Sequence, residues 1–142
     1  MRGALNIILY SLFSILYSFS GGCSMQEYNV LLEKSLHFAA RIVRLHRYLT
    51  KEKKEVVISR QIIRSGTSIG ANANEAVYGV SRADFIAKLQ ISLKEAAETE
   101  YWLRLLVLSG YLEKEKGDSL LNDCLELKRI LISSLNTAKK NL

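Results

Sequence analysis

The stretch Arg60–Tyr78, RQIIRSGTSIGANANEAVY, decides how the chain folds. Although rich in Gly, Ser, Asn and Ala, it keeps a helical rhythm. Ser59, Ile63, Gly66, Gly70, Ala73 and Val77 recur at alternating steps of four and three, so they share one side of a helix. Glycine inside a helix costs about 1 kcal/mol against alanine, and two of them one turn apart call for a reason. Close approach supplies one, because a face without side chains lets another helix backbone come nearer than usual. A loop over Gly66–Gly70 is the alternative. The chain contains no proline and the flanking segments are periodic, which favours one continuous, small-faced helix.

Outward from that stretch, three more helices are legible. Before it, Glu27 to Thr50 carries Leu31, Ser35, Phe38, Ile42, Leu45 and Leu49 in a four-three heptad pattern of the kind that packs in bundles. The link Lys51-Glu52-Lys53-Lys54 is charged and short, which suits an antiparallel turn into a second helix from about Glu55 to Tyr78. Gly79 suits its C-terminus. Ser81 with Asp84 three residues on resembles a capping box and opens a third helix that Gly110 closes.

The third helix has two apolar stripes. Phe85, Leu89, Leu93, Ala96, Leu103 and Leu106 form the first; Ile86, Ala97, Tyr101, Leu105 and Leu108 form the second. A helix with two adjoining stripes is either central to its own bundle or shared with another subunit. The fourth helix starts between Glu113 and Ser119 and runs to about Lys140, with Leu120, Cys124, Leu127, Leu131, Leu135 and Ala138 as its seam. The expected fold is all-α: an up-down-up-down antiparallel four-helix bundle with helices roughly 30–40 Å long.

Composition agrees with one helical domain. The 142 residues are 49% hydrophobic, without alternating strand patterns, and the net charge is +6. That basic excess is compatible with polyanion binding without being diagnostic of it. Cys23 and Cys124 have no metal-ligand spacing, and Cys124 falls on an apolar helix face as a small buried hydrophobe. Residues 1–24, MRGALNIILYSLFSILYSFSGGCS, differ from the rest, with Arg2 as their only charge. Three readings fit them: a false upstream start with translation beginning at Met25, a signal or lipoprotein leader, or a membrane anchor. A spanning helix is marginal, since about 20 apolar residues are needed. Residues 25–142 form the bundle domain, expected in the cytoplasm if Met25 is the start and membrane-associated through residues 1–24 otherwise.

The runs ISRQIIRSGTSIGANANEA (58–76), SRADFIAKLQISLKEAAETEYWLRLL (81–106) and SGYL (109–112) carry a family resemblance. They closely resemble bacterial four-helix bundle proteins, some encoded in intervening sequences of large-subunit ribosomal RNA genes. A related branch is the accessory variability protein of diversity-generating retroelements. The resemblance covers about Tyr28 to Lys140, and Arg64-Ser65-Gly66-Thr67-Ser68-Ile69-Gly70-Ala71-Asn72 and Tyr101-Trp102-Leu103 are its specific motifs. It implies a four-helix bundle that assembles as a ring-like homopentamer. For the retroelement branch it implies nucleic acid and a reverse transcriptase as partners.

Three groups of residues are candidates for function. Arg41, Arg44, Arg47, Tyr48 and Lys51 fall within an arc of roughly 120° on the first helix at 100° per residue, away from the seam. Arg60 and Arg64 lie one turn apart on the second helix, off its small face, so the two rows can form one positive surface for structured RNA, with Tyr48 able to stack on a base. The alternative is that these charges only keep the bundle soluble or dock an acidic protein. Gly66, Gly70 and Ala73, with Asn72 nearby, are candidates for close packing within the subunit or between subunits. Tyr101 belongs to the second apolar stripe, whereas Trp102 points away from both, which suggests an interface. Glu95, Glu98 and Glu100 make part of the third helix acidic, able to pair with basic residues across a subunit interface.

Catalysis finds little support. Both histidines, His37 and His46, lie on the first helix, and neither sits in a Glu-x-x-His pair of the di-iron type. Ser65-Gly66-Thr67-Ser68 lacks the Gly-Lys-Ser/Thr ending of a phosphate loop. No enzyme activity, cofactor, metal or small-molecule substrate is expected.

Overall fold

A computed structural model describes residues 25–140. Readings of residues 1–24 lie outside the described residues. Four helices follow one another: α1 (Met25–Lys51), α2 (Val57–Ala76), α3 (Arg82–Leu108) and α4 (Lys114–Lys140). Each packs on its sequence neighbour and α4 closes back on α1, so α1 and α3 face each other diagonally. This is the up-down-up-down bundle. No helix among the described residues is long and apolar enough to cross a membrane.

The expected seams form the core. Leu31, Ser35, Phe38, Ile42, Leu45 and Leu49 of α1 are buried, as are Leu120, Cys124, Leu127, Leu131, Leu135 and Ala138 of α4. From α3 come Leu89, Ala96, Leu103 and Leu106. Cys124 Sγ donates to the Ala96 carbonyl at 3.3 Å, and burial pushes its thiol up to about 12, so it packs as an inert hydrophobe.

The glycine-bearing face of α2 lies on α1. A Cβ at Gly66 would stand 2.9 Å from both Cγ1 and Cγ2 of Ile42, and one at Gly70 would stand 3.0 Å from Ser35 Oγ. The small face therefore serves packing inside the chain. Its neighbouring face, with buried Ile62, Ser65 and Ile69, meets α3. There Ser92 Oγ donates to the Ile69 carbonyl at 2.7 Å, and Thr99 Oγ1 lies 2.9 Å from Ser65 Oγ. Short hydroxyl side chains let the two backbones approach while satisfying the polar groups that this buries. Asn72 makes no contact with another helix of this kind; its Nδ2 donates back one turn to the Ser68 carbonyl.

The helix ends follow from local chemistry. Ser81 Oγ accepts from the Asp84 amide at 3.1 Å, while the Asp84 carboxylate accepts from the Val80 amide at 3.2 Å, one residue earlier than a regular capping box. Gly110 takes the left-handed conformation (φ 78°) that ends α3. The start of α2 differs from expectation. Glu55 is not helical: its buried carboxylate accepts from the amides of Val57, Ile58 and Ser59 at 2.8–2.9 Å, occupying three donors that open α2. The preceding Lys54 adopts φ 55°, so the sharp turn is held by this carboxylate.

Candidate nucleic-acid interface

The turn between α1 and α2 and the turn between α3 and α4 lie at the same end of the bundle, and lysines from both reach one ring. Lys53 Nζ and Lys116 Nζ each stand 5.8 Å from the centroid of Tyr48. Arg44, Arg47, Lys51, Lys54 and Arg60, all exposed, belong to the same end of α1 and α2. Arg44, Arg47, Lys51, Lys53, Lys54 and Arg60 take no part in the ion pairs found among the described residues. Sequence reasoning assigns Lys53 and Lys54 only to a turn, although they continue the basic run of α1 by one further turn.

Three of the seven residues named from sequence stand apart. Arg41 is bound to α4: its Nη1 donates to the Asp123 carboxylate and its Nη2 to Ser119 Oγ at 2.9 Å. A guanidinium held this way has little charge to offer a phosphate. Arg64 is 69% exposed and reaches Glu98 at 3.7 Å, a loose pair that high dielectric makes weak. Tyr48 is half-buried and turned toward α4, beside Arg44 in a groove and away from the Arg47–Arg60 row.

Of the aromatic pair on α3, Trp102 differs from its expected outward position. Tyr101 is 60% exposed, whereas Trp102 packs half-buried against the core and donates its Nε1 to Glu98 at 3.1 Å. Much of the second stripe of α3 faces outward, with Ala97, Tyr101 and Leu108 (86%) exposed and Leu105 half-buried, while Ile86 at its start packs against the core. The acidic residues of α3 also find partners inside the chain. Glu100 accepts from Lys128 at 2.6 Å and from Arg104 at 2.8 Å, and these bonds hold its carboxyl below the usual range.

Glu95 is the exception. Its Oε2 is shielded from solvent without a hydrogen-bond partner. Burial first, and the Glu98 charge second, push its carboxyl above the ordinary value, against a smaller pull from Arg64. A carboxyl raised by folding favours the protonated state, so its contribution to stability falls as pH rises through the folded value. Glu95→Gln is therefore expected to raise the melting temperature at about pH 7 and to leave it nearly unchanged at about pH 3. Thermal unfolding at both values checks this, and a lower melting temperature at the higher pH would contradict it.

Among the described residues, no cluster of three or more His, Cys, Asp and Glu side chains could hold a metal ion. His46 serves structure, with Nδ1 3.1 Å from the Ser59 carbonyl across the α1–α2 contact.

The family model described as 23S rRNA-intervening sequence protein matches residues 27–133, which spans all four helices. The chain belongs to the 23S rRNA-intervening sequence protein family. A crystal structure of a protein of unknown function from the S23 ribosomal protein family of Bacteroides thetaiotaomicron is similar at 55% identity and TM-score 0.77. The match covers 78% of this chain and 99% of that one. No curated protein matches. Neither the family nor this structure points to an enzyme. For this intervening-sequence protein, any functional reading rests on its surface.

Proposed function

We propose that this 23S rRNA-intervening sequence protein is a non-enzymatic, self-associating bundle that binds structured RNA electrostatically at the end carrying the α1–α2 turn. The observation that carries the reading is the concentration there of Arg44, Arg47, Lys51, Lys53, Lys54 and Arg60 outside any ion pair of the described residues. Charges that only solubilise a bundle are usually interleaved with acids along its faces, as Lys34 with Glu126 and Lys88 with Glu75 are here. These six share one end, where they outnumber the acids Glu52, Glu113 and Glu115. No groove-reading motif accompanies them, so recognition would be of phosphate and shape. Binding of the full chain to a structured RNA hairpin, measured at about 50 and 200 mM salt, tests the reading: affinity should fall steeply, and no binding at the lower salt would overturn it.

The outer face of α3 supports self-association. Ala97, Tyr101, Leu105 and Leu108 make an apolar stripe that a solvated monomer rarely exposes. On the opposite flank, α1 presents Leu36, Ala40 and Val43. Contact between unlike faces is heterologous, and it gives the homopentamer implied by the family resemblance where the rotation between neighbouring subunits closes. Light scattering on the full chain gives the mass: a pentamer is expected, and a monomer would remove this part of the reading. The second reading, a scaffold that docks an acidic protein such as a reverse transcriptase, draws on the same basic end. Retained protein binding without RNA binding would favour it.

A further inference from the structure

Tyr48 sits at the mouth of a groove of about 540 Å³ between α1 and α4. The groove is floored by the buried Leu45, Leu112 and Leu120 and edged by Arg44 and Lys116. Its polar rim is mixed, because Glu113 and Glu115 also line it and Glu113 pairs with Lys116 at 3.1 Å. Lys53 and Lys116 come from different turns of the bundle, yet both approach the same ring at the same distance. A flat π-face with mobile cations around it and an apolar floor beneath matches the parts of one nucleotide: a base to stack and a phosphate to neutralise. A paired base keeps its faces inside the duplex and cannot present one to a ring recessed between two helices.

We infer that this groove takes a single unpaired nucleotide of a bound RNA, its base stacked on Tyr48 and its phosphate held by Arg44, Lys53 and Lys116. The inference rests on the RNA-binding reading above and adds to it a preference for RNA with an unpaired residue over perfect duplex. On binding, the base displaces the two ammonium groups from the ring, and they turn to the flanking phosphates. The surrounding cations on α1 and α2 supply the sequence-independent attraction, and the Tyr48 groove selects the conformation.

Two hairpins of equal length, one fully paired and one with a single bulged adenosine, test this against the full chain at about 50 mM salt. The bulged hairpin is expected to bind about tenfold more tightly, the effect of one base stacked on an aromatic ring. Tyr48→Leu should abolish that preference, so that the two hairpins bind alike, whereas Tyr48→Phe should keep it. Placing 2-aminopurine at the bulge gives a separate readout: its fluorescence should be quenched by the wild type and not by Tyr48→Leu. Lys53→Gln with Lys116→Gln, both at exposed positions, should reduce the preference without disturbing the fold. Equal affinity for the two hairpins, or a preference that survives Tyr48→Leu, would overturn the inference while leaving electrostatic RNA binding intact. Binding to neither hairpin would overturn both. Free AMP competing as well as the bulged strand would reassign the groove to a mononucleotide and overturn the inference as stated.

Discussion

Gly66→Val is expected to destabilise the protein by about 3 kcal/mol, the upper part of the range for forcing extra methyl groups into a packed core. The first added carbon would already stand 2.9 Å from two carbons of Ile42. Ile42 is fully buried and branched at Cβ, so those carbons lie next to its backbone and cannot swing aside. Relief requires α1 and α2 to separate, which would also open the Gly70–Ser35 contact one turn away. The melting temperature should fall by more than about 10 °C.

The cause can be isolated by a double-mutant cycle. Ile42→Ala alone should cost about 2–5 kcal/mol through the cavity it leaves. In that background the clashing carbons are gone, and Gly66→Val should cost little, giving a large favourable coupling. Equal costs in both backgrounds would mean that close approach is not why glycine stands there. Gly110→Ala serves as a control of the opposite kind: nothing lies within 4 Å of its position, and φ is 78°. Its expected cost of about 1–2 kcal/mol is one of backbone strain and should be indifferent to Ile42.

The second large effect concerns salt. With about six phosphates neutralised, RNA affinity should drop about 10³-fold between about 50 and 200 mM salt. The triple variant Arg44→Ala/Arg47→Ala/Arg60→Ala removes half of the free cations, so its drop over the same interval should shrink to about 40-fold. Arg41→Ala is the informative contrast. From its position on the helix Arg41 belongs with Arg44 and Arg47, but its guanidinium is already bound to Asp123 and Ser119. Its removal should leave the salt slope nearly unchanged. A slope reduced as much by Arg41→Ala as by Arg44→Ala would show that the Asp123 pair opens for RNA.

The sequence by itself determined the number of helices, their order, and the residues that face inward on α1 and α4. Those seams are legible because one apolar stripe per helix leaves no choice of phase, as Leu31 to Leu49 and Leu120 to Ala138 show. The Ser81 cap and the Gly110 stop are legible because they use partners within a few residues. Only the tertiary structure decided the rest, wherever the partner is distant or the pattern is degenerate. Arg41 meets Asp123 across 82 positions of chain, a pairing that no local spacing encodes. Tyr48 acquires Lys116 only when α4 packs beside α1. On α3 both stripes are apolar, so periodicity cannot say which is inside. The choice falls to packing against α2 and α4, which buries Leu103 and half of Trp102 and leaves Tyr101 and Leu108 outside. The small face of α2 lay between these cases: its composition announced a close approach, and the bundle's connectivity chose α1 as the helix that makes it.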